Sequence, residues 1–379
     1  MAINLAALGR KLKKYRDQLQ ETVAELAEVT GIPGDRLTEM EAGRVEPTGD
    51  EVLILADHFQ CDFRYFISNE RLAPFEQTDM LYRMHGREFS KADRRAVQEF
   101  LYLCETEAFL MKELRREHVE FEFRPTDGFM KGHGEPAAKA LLKALRFPDN
   151  ELPRDVFYEF RRVGVHVFRR HLGNSNISGL FIRHPVAGKC ALVNYSEDVY
   201  RQRFSAAHEM AHAIFDHDQD ASVSFTNTGH DLREVRANRF ASCFLMPPPF
   251  LRSIPVRDGW SDQEALRWAN ELRVSCHALG IALKEAGLVD ANRGAQIQRL
   301  RVPKDAKVDP ELPATLNLAQ RQKKAHLLEL GLSDFYVDLC FDAFKQGVIS
   351  QGRLAEALMT SSPGLVELAE LYGRSLHGH

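Results

Sequence analysis

Apolar positions along the chain follow two rhythms. Leu5, Leu8, Leu12 and Tyr15 recur at helical spacing, and ETVAELAEVTGI and PGDRLTEMEAGRVEP continue as short helical stretches. Gly31 ends one of these helices, Pro33 suits the first helical position of the next, and Gly43 ends that one. Two short helices joined by so tight a glycine-containing turn form the helix-turn-helix pattern. EVLILADHFQCDFRYFI adds one or two core helices, so residues 1–68 are expected to fold as a compact helical bundle.

Residues 69–120 are charged and helical in pattern (SKADRRAVQEFLYLCETEAFLMKELRREH) and read as a helical connector. A polar break, FRPTDGFMKGHGEP, precedes the helix AAKALLKALRF, and then the period changes. VGVHVFRR, ISGLFIRH and CALVNYS are rich in β-branched residues and bounded by Gly, Asn and Pro, the marks of strands. From about Arg203 onward the pattern is mostly helical to the end, with TNTGHD as a loop. LREVRANRFASCFLM is stopped by Pro247, Pro248 and Pro249, and QEALRWANELR and CHALGIALKEAG follow. The fold class is therefore α+β and mostly helical. A sheet-bearing region over 121–300 is followed, after a polar Pro-containing stretch, by a helical C-terminal region over 301–379.

Composition narrows the class. At 379 residues, 44% hydrophobic and 27% charged, the chain is an ordinary globular protein with room for two or three domains. It contains no run of 18 apolar residues, and its first basic residues follow an apolar stretch, the reverse of a secretory signal. No membrane contact and a cytoplasmic location are expected. The six cysteines lie far apart with no CxxC pair, which argues for free buried thiols rather than a zinc ribbon. A net charge of −4 offers no global attraction to nucleic acid.

The strongest chemical signal is HEMAH at 208–212. On a helix, His208 and His212 stand at i and i+4 and project both imidazoles from one face, the bite required by two positions on Zn2+. Glu209 lies where it reaches a water rather than the ion, the place of a general base. The surrounding AAHEMAHAIF is otherwise apolar, and buried ionisable groups at this spacing call for a partner. For the third ligand, the turn glycine used by one zinc-peptidase class is replaced by Phe215, with Asp218 at the ligand position. Asp216 and His217 continue along the same helix and are expected to point away. The next helix offers Glu234 in a stripe with Ala237, Asn238 and Ala241, whose small residues permit close approach. His230 and Asp231 are further candidates for contacts around the site.

These residues, with Ser178-Gly179, Val193-Asn194, Arg203 and E-x-x-A-N-x-F-A running into Leu245-Met246-Pro247, resemble the ImmA/IrrE metallopeptidases over roughly 130–285. The resemblance implies a zincin-like domain, Glu234 as third zinc ligand, and a protein substrate. Members characteristically act on helix-turn-helix repressors in stress or mobile-element responses. Residues 1–68 are similar to XRE-type helix-turn-helix domains through L-A-x-x-T-G-I, Met40-Glu41-x-Gly43-Arg44 and Pro47. Their second helix opens on Val23 where such domains commonly carry Gln. Arg36, Thr38 and Arg44 are the candidate DNA-reading residues, yet this stretch holds 8 Lys/Arg against 12 Asp/Glu. Specific DNA binding and protein docking both stay open for it, as does a homodimer. The rival functional readings are an XRE-type transcription regulator whose zinc domain is a sensor, and an interaction protein with a vestigial peptidase fold.

Overall fold

The computed structural model describes residues 3–61, 63–68, 76–125, 130–225, 231–256 and 259–376. The N-terminal bundle comprises α1 (Leu5–Gln18), α2 (Val23–Thr30), α3 (Gly34–Glu41), α4 (Gly49–His58) and α5 (Arg64–Ile67). Capping boxes at Thr22/Glu25 and Thr48/Glu51 start α2 and α4, while Gly31, at φ 71°, ends α2. Pro33 is the residue just before α3 rather than part of its first turn. Leu8, Leu12, Tyr15, Leu26, Leu37, Met40 and Phe59 form the bundle's own core. Gly9 lets α1 cross α3 closely, since a Cβ there would stand 2.5 Å from the carbonyls of Met40 and Glu41.

Next come α6 (Glu76–His85), α7 (Lys91–Glu113), α8 (Gly134–Ala144) and α9 (Val156–Arg162). The strands β1 (Val165–Arg170), β2 (Ile177–His184) and β3 (Gly188–Asn194) follow, then α10 (Val199–Phe215), β4 (Ala221–Phe225) and α11 (Leu232–Leu245). The sheet runs β1-β3-β2-β4, with β1 parallel to β3 and the other pairs antiparallel. β4 adds a strand to a stretch whose pattern is mostly helical. Its alternation Ala-Ser-Val-Ser-Phe is the period-2 signal, but five residues between two longer helices are easily overlooked. The remaining helices are α12 (Pro248–Ser253), α13 (Asp262–Glu271), α14 (Cys276–Glu285), α15 (Ala291–Arg299), α16 (Leu318–Glu329), α17 (Asp334–Lys345), α18 (Gln351–Ala357) and α19 (Ser362–Tyr372). The proline run that ends α11 also opens α12, because proline is compatible with a first helical turn.

Both sheet faces are covered. Val165, Val167, Phe181, Ala191 and Val193 pack with α8–α11, α13 and α14. Phe168, Leu180, Ile182, Cys190 and Leu192 pack with Phe100, Leu101 and Leu103 of α7 and with Tyr336, Val337 and Phe341 of α17. The stretch read as a connector is thus a core element, and the C-terminal helices close the same face of the sheet. The reason is area. The second face of this short sheet is apolar, and each large side chain buried on it contributes on the order of 1.5–3 kcal/mol. No helix among the described residues is long and apolar enough to cross a membrane, and no disulfide links the cysteines, of which all but the half-buried Cys61 are buried.

Candidate metal centre

Helix α10 begins on Asp198, whose side chain accepts from the Tyr200 amide, and carries a small-residue face through Ala206, Ala207 and Ala211. Ala237 and Ala241 of α11 are equally buried, so the two helices pack closely and Glu234 reaches the histidines. The Nε2 atoms of His208 and His212 lie 3.1 Å apart. Glu234 Oε2 is 3.2 Å from the first and its Oε1 is 3.3 Å from the second. Ligand atoms on a tetrahedral zinc with bonds of about 2.0–2.1 Å stand about 3.3 Å apart, so this donor set fits such an ion. The far ring nitrogens are already engaged, His208 Nδ1 with Asn238 Oδ1 at 3.0 Å and His212 Nδ1 with Asp216 Oδ2 at 2.6 Å. With a proton on each Nδ1, both Nε2 lone pairs face the shared point.

Three carboxylates lie around the two histidines, and their bonding separates them. Both oxygens of Glu209 are buried with no well-formed hydrogen bond, though the Ser224 hydroxyl stands close enough to lower its pKa. Burial raises its pKa, with His212 and His208 pulling the other way. Burial would likewise raise Glu234, but when the His208 and His212 rings are protonated, their hydrogen bonds and charge hold it far below the ordinary carboxylate range. Asp216 is bonded through both oxygens, to His212 and to the Arg236 guanidinium. Glycine at 179 is required by Glu209, because a Cβ there would lie 2.8 Å from Glu209 Oε1 and 2.8 Å from the Leu192 carbonyl. A bulge between Ile177 and Gly179 brings this part of β2 to the site.

The structure brings together His208, Glu209, His212 and Glu234, and it places Asp216 on the Nδ1 side of His212, away from the point the Nε2 atoms share. That residue ends α10 with φ −97° and ψ 61°, which folds its side chain back along the last turn onto the His212 ring. Asp218 is exposed and pairs with Arg233 at 2.9 Å, and Asp231 caps α11 through the Arg233 amide. His230 lies outside the described residues. Asp216 and Arg236 carried no sequence signal as contacts of the site; Asn238 did, through its place in the α11 stripe.

In the helix-turn-helix module the candidate reading residues are internally engaged. Arg36 binds the Glu51 carboxylate, with Nη2 2.7 Å from Oε2, and reaches the Glu46 carbonyl. Arg44 makes two 2.7 Å hydrogen bonds to Glu39, and the Thr38 hydroxyl donates to the Gly34 carbonyl. Of the basic side chains on α1, Lys11 donates to the carbonyls of Tyr65 and Ser68, Lys14 pairs with Asp79 and Arg16 with Glu41.

Two histidines one turn apart, on a helix packed against a small mixed sheet and facing a glutamate from the next helix, describe a metallopeptidase-type domain. Residues 160–284 match the IrrE N-terminal-like domain of the Peptidase_M78 family, and residues 7–62 match a helix-turn-helix domain. The chain therefore joins these two domains, as its resemblance to ImmA/IrrE metallopeptidases implies. No curated protein matches it.

Proposed function

We propose that the chain is a zinc-dependent endopeptidase that cleaves a regulatory protein in the cytoplasm, with a helix-turn-helix repressor as the substrate class and a stress or mobile-element response as the setting. The observation that supports this best is the unequal bonding of the three carboxylates. Glu234 faces both histidine Nε2 atoms and completes a three-ligand set with them. Glu209 is a fully buried carboxylate with no well-formed hydrogen bond and only the Ser224 hydroxyl beside it, which costs stability and suits a group that must accept a proton.

A zinc ion held by His208, His212 and Glu234 would supply Lewis acidity toward a water and a peptide carbonyl. Glu209 takes a proton from the attacking water as its oxygen adds to the carbonyl carbon. The same carboxyl then delivers that proton to the leaving amine as the C–N bond breaks. Burial of Glu209 raises its proton affinity, which suits both transfers. Asn238 and Asp216 keep the histidine rings from rotating out of this arrangement.

A purely sensory or structural zinc has no use for an uncommitted glutamate beside it, so the sensor reading explains less. The test is Glu209→Gln. Cleavage of the partner protein is expected to fall by about 10²–10⁴-fold with zinc content unchanged. Full activity in this variant would remove the peptidase assignment.

A further inference from the structure

The surroundings of the two histidines differ, and the difference points to a role for residues that the reaction itself does not use. His208 is held from behind by a neutral amide, Asn238, at 3.0 Å. His212 is held by a carboxylate, Asp216, at 2.6 Å, and that carboxylate is held in turn by Arg236. Both Asp216 and Arg236 are buried. The Arg236 guanidinium also lies 4.3 Å above the Phe215 ring, in the turn that carries Asp216. Asp216 has no oxygen left to offer an ion, since one meets His212 and the other Arg236. It is an anchor rather than a ligand.

Helix α11 therefore reaches the site in three ways. Glu234 touches it directly, Asn238 touches His208, and Arg236 touches His212 through Asp216. These three stand at i, i+2 and i+4 on a helix that packs along α10. We propose that Asp216, fixed by Arg236, is a positioning residue that sets the orientation and donor strength of His212, and that it makes His212 the stronger of the two histidine donors. The inference rests on the reading of His208, His212 and Glu234 as zinc ligands. The physics is general. A carboxylate accepting the Nδ1 proton fixes the tautomer and raises ring basicity more than an amide carbonyl does, because its charge stabilises the polarised ring. Arg236 acts one step further out, keeping the Asp216 carboxylate turned toward the ring and not toward solvent.

The experiment is zinc affinity of the full chain, measured by competition with a chromophoric chelator. The variants are Asp216→Asn, Asp216→Ala, Arg236→Met and Asn238→Ala, each compared with wild type. Asp216→Ala is expected to lose about 10–100-fold in affinity, and Asp216→Asn, which keeps an acceptor but not the charge, to fall between it and wild type. Arg236→Met is expected to follow Asp216→Asn, and Asn238→Ala to lose less than Asp216→Ala. Cobalt substitution supplies a signature that a general loss of stability would not move. The visible ligand-field bands of the cobalt form should shift in Asp216→Asn at temperatures well below its metal-free melt, which loss of the buried Arg236 pair is itself expected to lower. Wild-type zinc affinity and an unshifted cobalt spectrum in Asp216→Asn would overturn the proposal alone. A wild-type chain that binds no zinc would remove the ligand assignment and this proposal with it.

Discussion

The helix-turn-helix module and the candidate metal centre use charged side chains in opposite ways. In the module, charges cancel at or near the surface: Arg16 meets Glu41, Arg36 meets Glu51, and Arg44 meets Glu39. At the centre, charges are buried and one carboxylate, Glu209, has no well-formed hydrogen bond. In the module the Arg44–Glu39 pair is open to solvent, which screens it, whereas Arg36–Glu51 and Arg16–Glu41 are partly to largely covered; all three fix local geometry. A buried uncommitted carboxylate costs stability, and a fold retains it where chemistry requires it. The two regions thus differ in pairing: each of these module arginines meets a carboxylate, whereas Glu209 is in no ion pair among the described residues.

The largest effect that would test this contrast is loss of the ion. Purified protein is expected to hold about one zinc per chain, and the His208→Ala/His212→Ala double variant none. Glu234→Ala should lose most of it, while Asp218→Ala, at an exposed surface pair, should retain it. Elemental analysis reads all three, and normal zinc in the double variant would end the proposed site.

Next in size is the space around Glu209. Gly179→Ala places a Cβ against both the Glu209 carboxylate and the Leu192 carbonyl. Displacement of the base by about 1 Å is expected to lower the cleavage rate by about 100-fold. Zinc content should not change. An unaltered rate would mean that Glu209 need not occupy the pose seen here.

A smaller effect is expected from the surface pairs. Hydrogen bonding to Arg36 is the main cause that pulls the Glu51 carboxyl from the usual 4.5 down to about 2. Its folded-state pKa is depressed, so its stabilisation is complete above the unfolded value. It is lost as pH falls from about 4.5 toward 2. The pair sits near the surface and is partly covered, so Glu51→Gln should cost about 1 kcal/mol at neutral pH, and less at pH 3, in thermal melts. A larger cost would make this pair behave like the buried site rather than the surface.

The smallest effect concerns DNA. With Arg36 and Arg44 paired internally and three basic residues of α1 also engaged, few cations remain free for phosphates. Binding to random duplex is expected to be weak and to depend little on salt. A loss of about 10³–10⁵-fold between about 50 and 200 mM salt is the mark of many phosphate contacts and would contradict this. Absence of any operator binding, with loss of cleavage on removing residues 1–68, would instead assign the module to docking.

Much of this was legible in the residues themselves. The i, i+4 spacing of His208 and His212 needs only the helical period, and Gly31 and Gly43 announced the module's turns through their own backbone freedom. Glu234 was legible as one of a stripe with Ala237 and Asn238, and the resemblance to ImmA/IrrE proteins singled it out. What required the folded chain was everything built from contacts far apart in sequence. Asp216 turned back to His212 because α10 ends there and Arg236 arrives from α11. Helix α7 and the C-terminal helices joined the sheet's core because a two-faced apolar sheet must be covered on both sides. Spacing along one helix is set by bonds within a few residues, so the sequence alone determines it. Which carboxylate is an anchor, a ligand or a base depends on what lies across from it, and only the tertiary packing decides that.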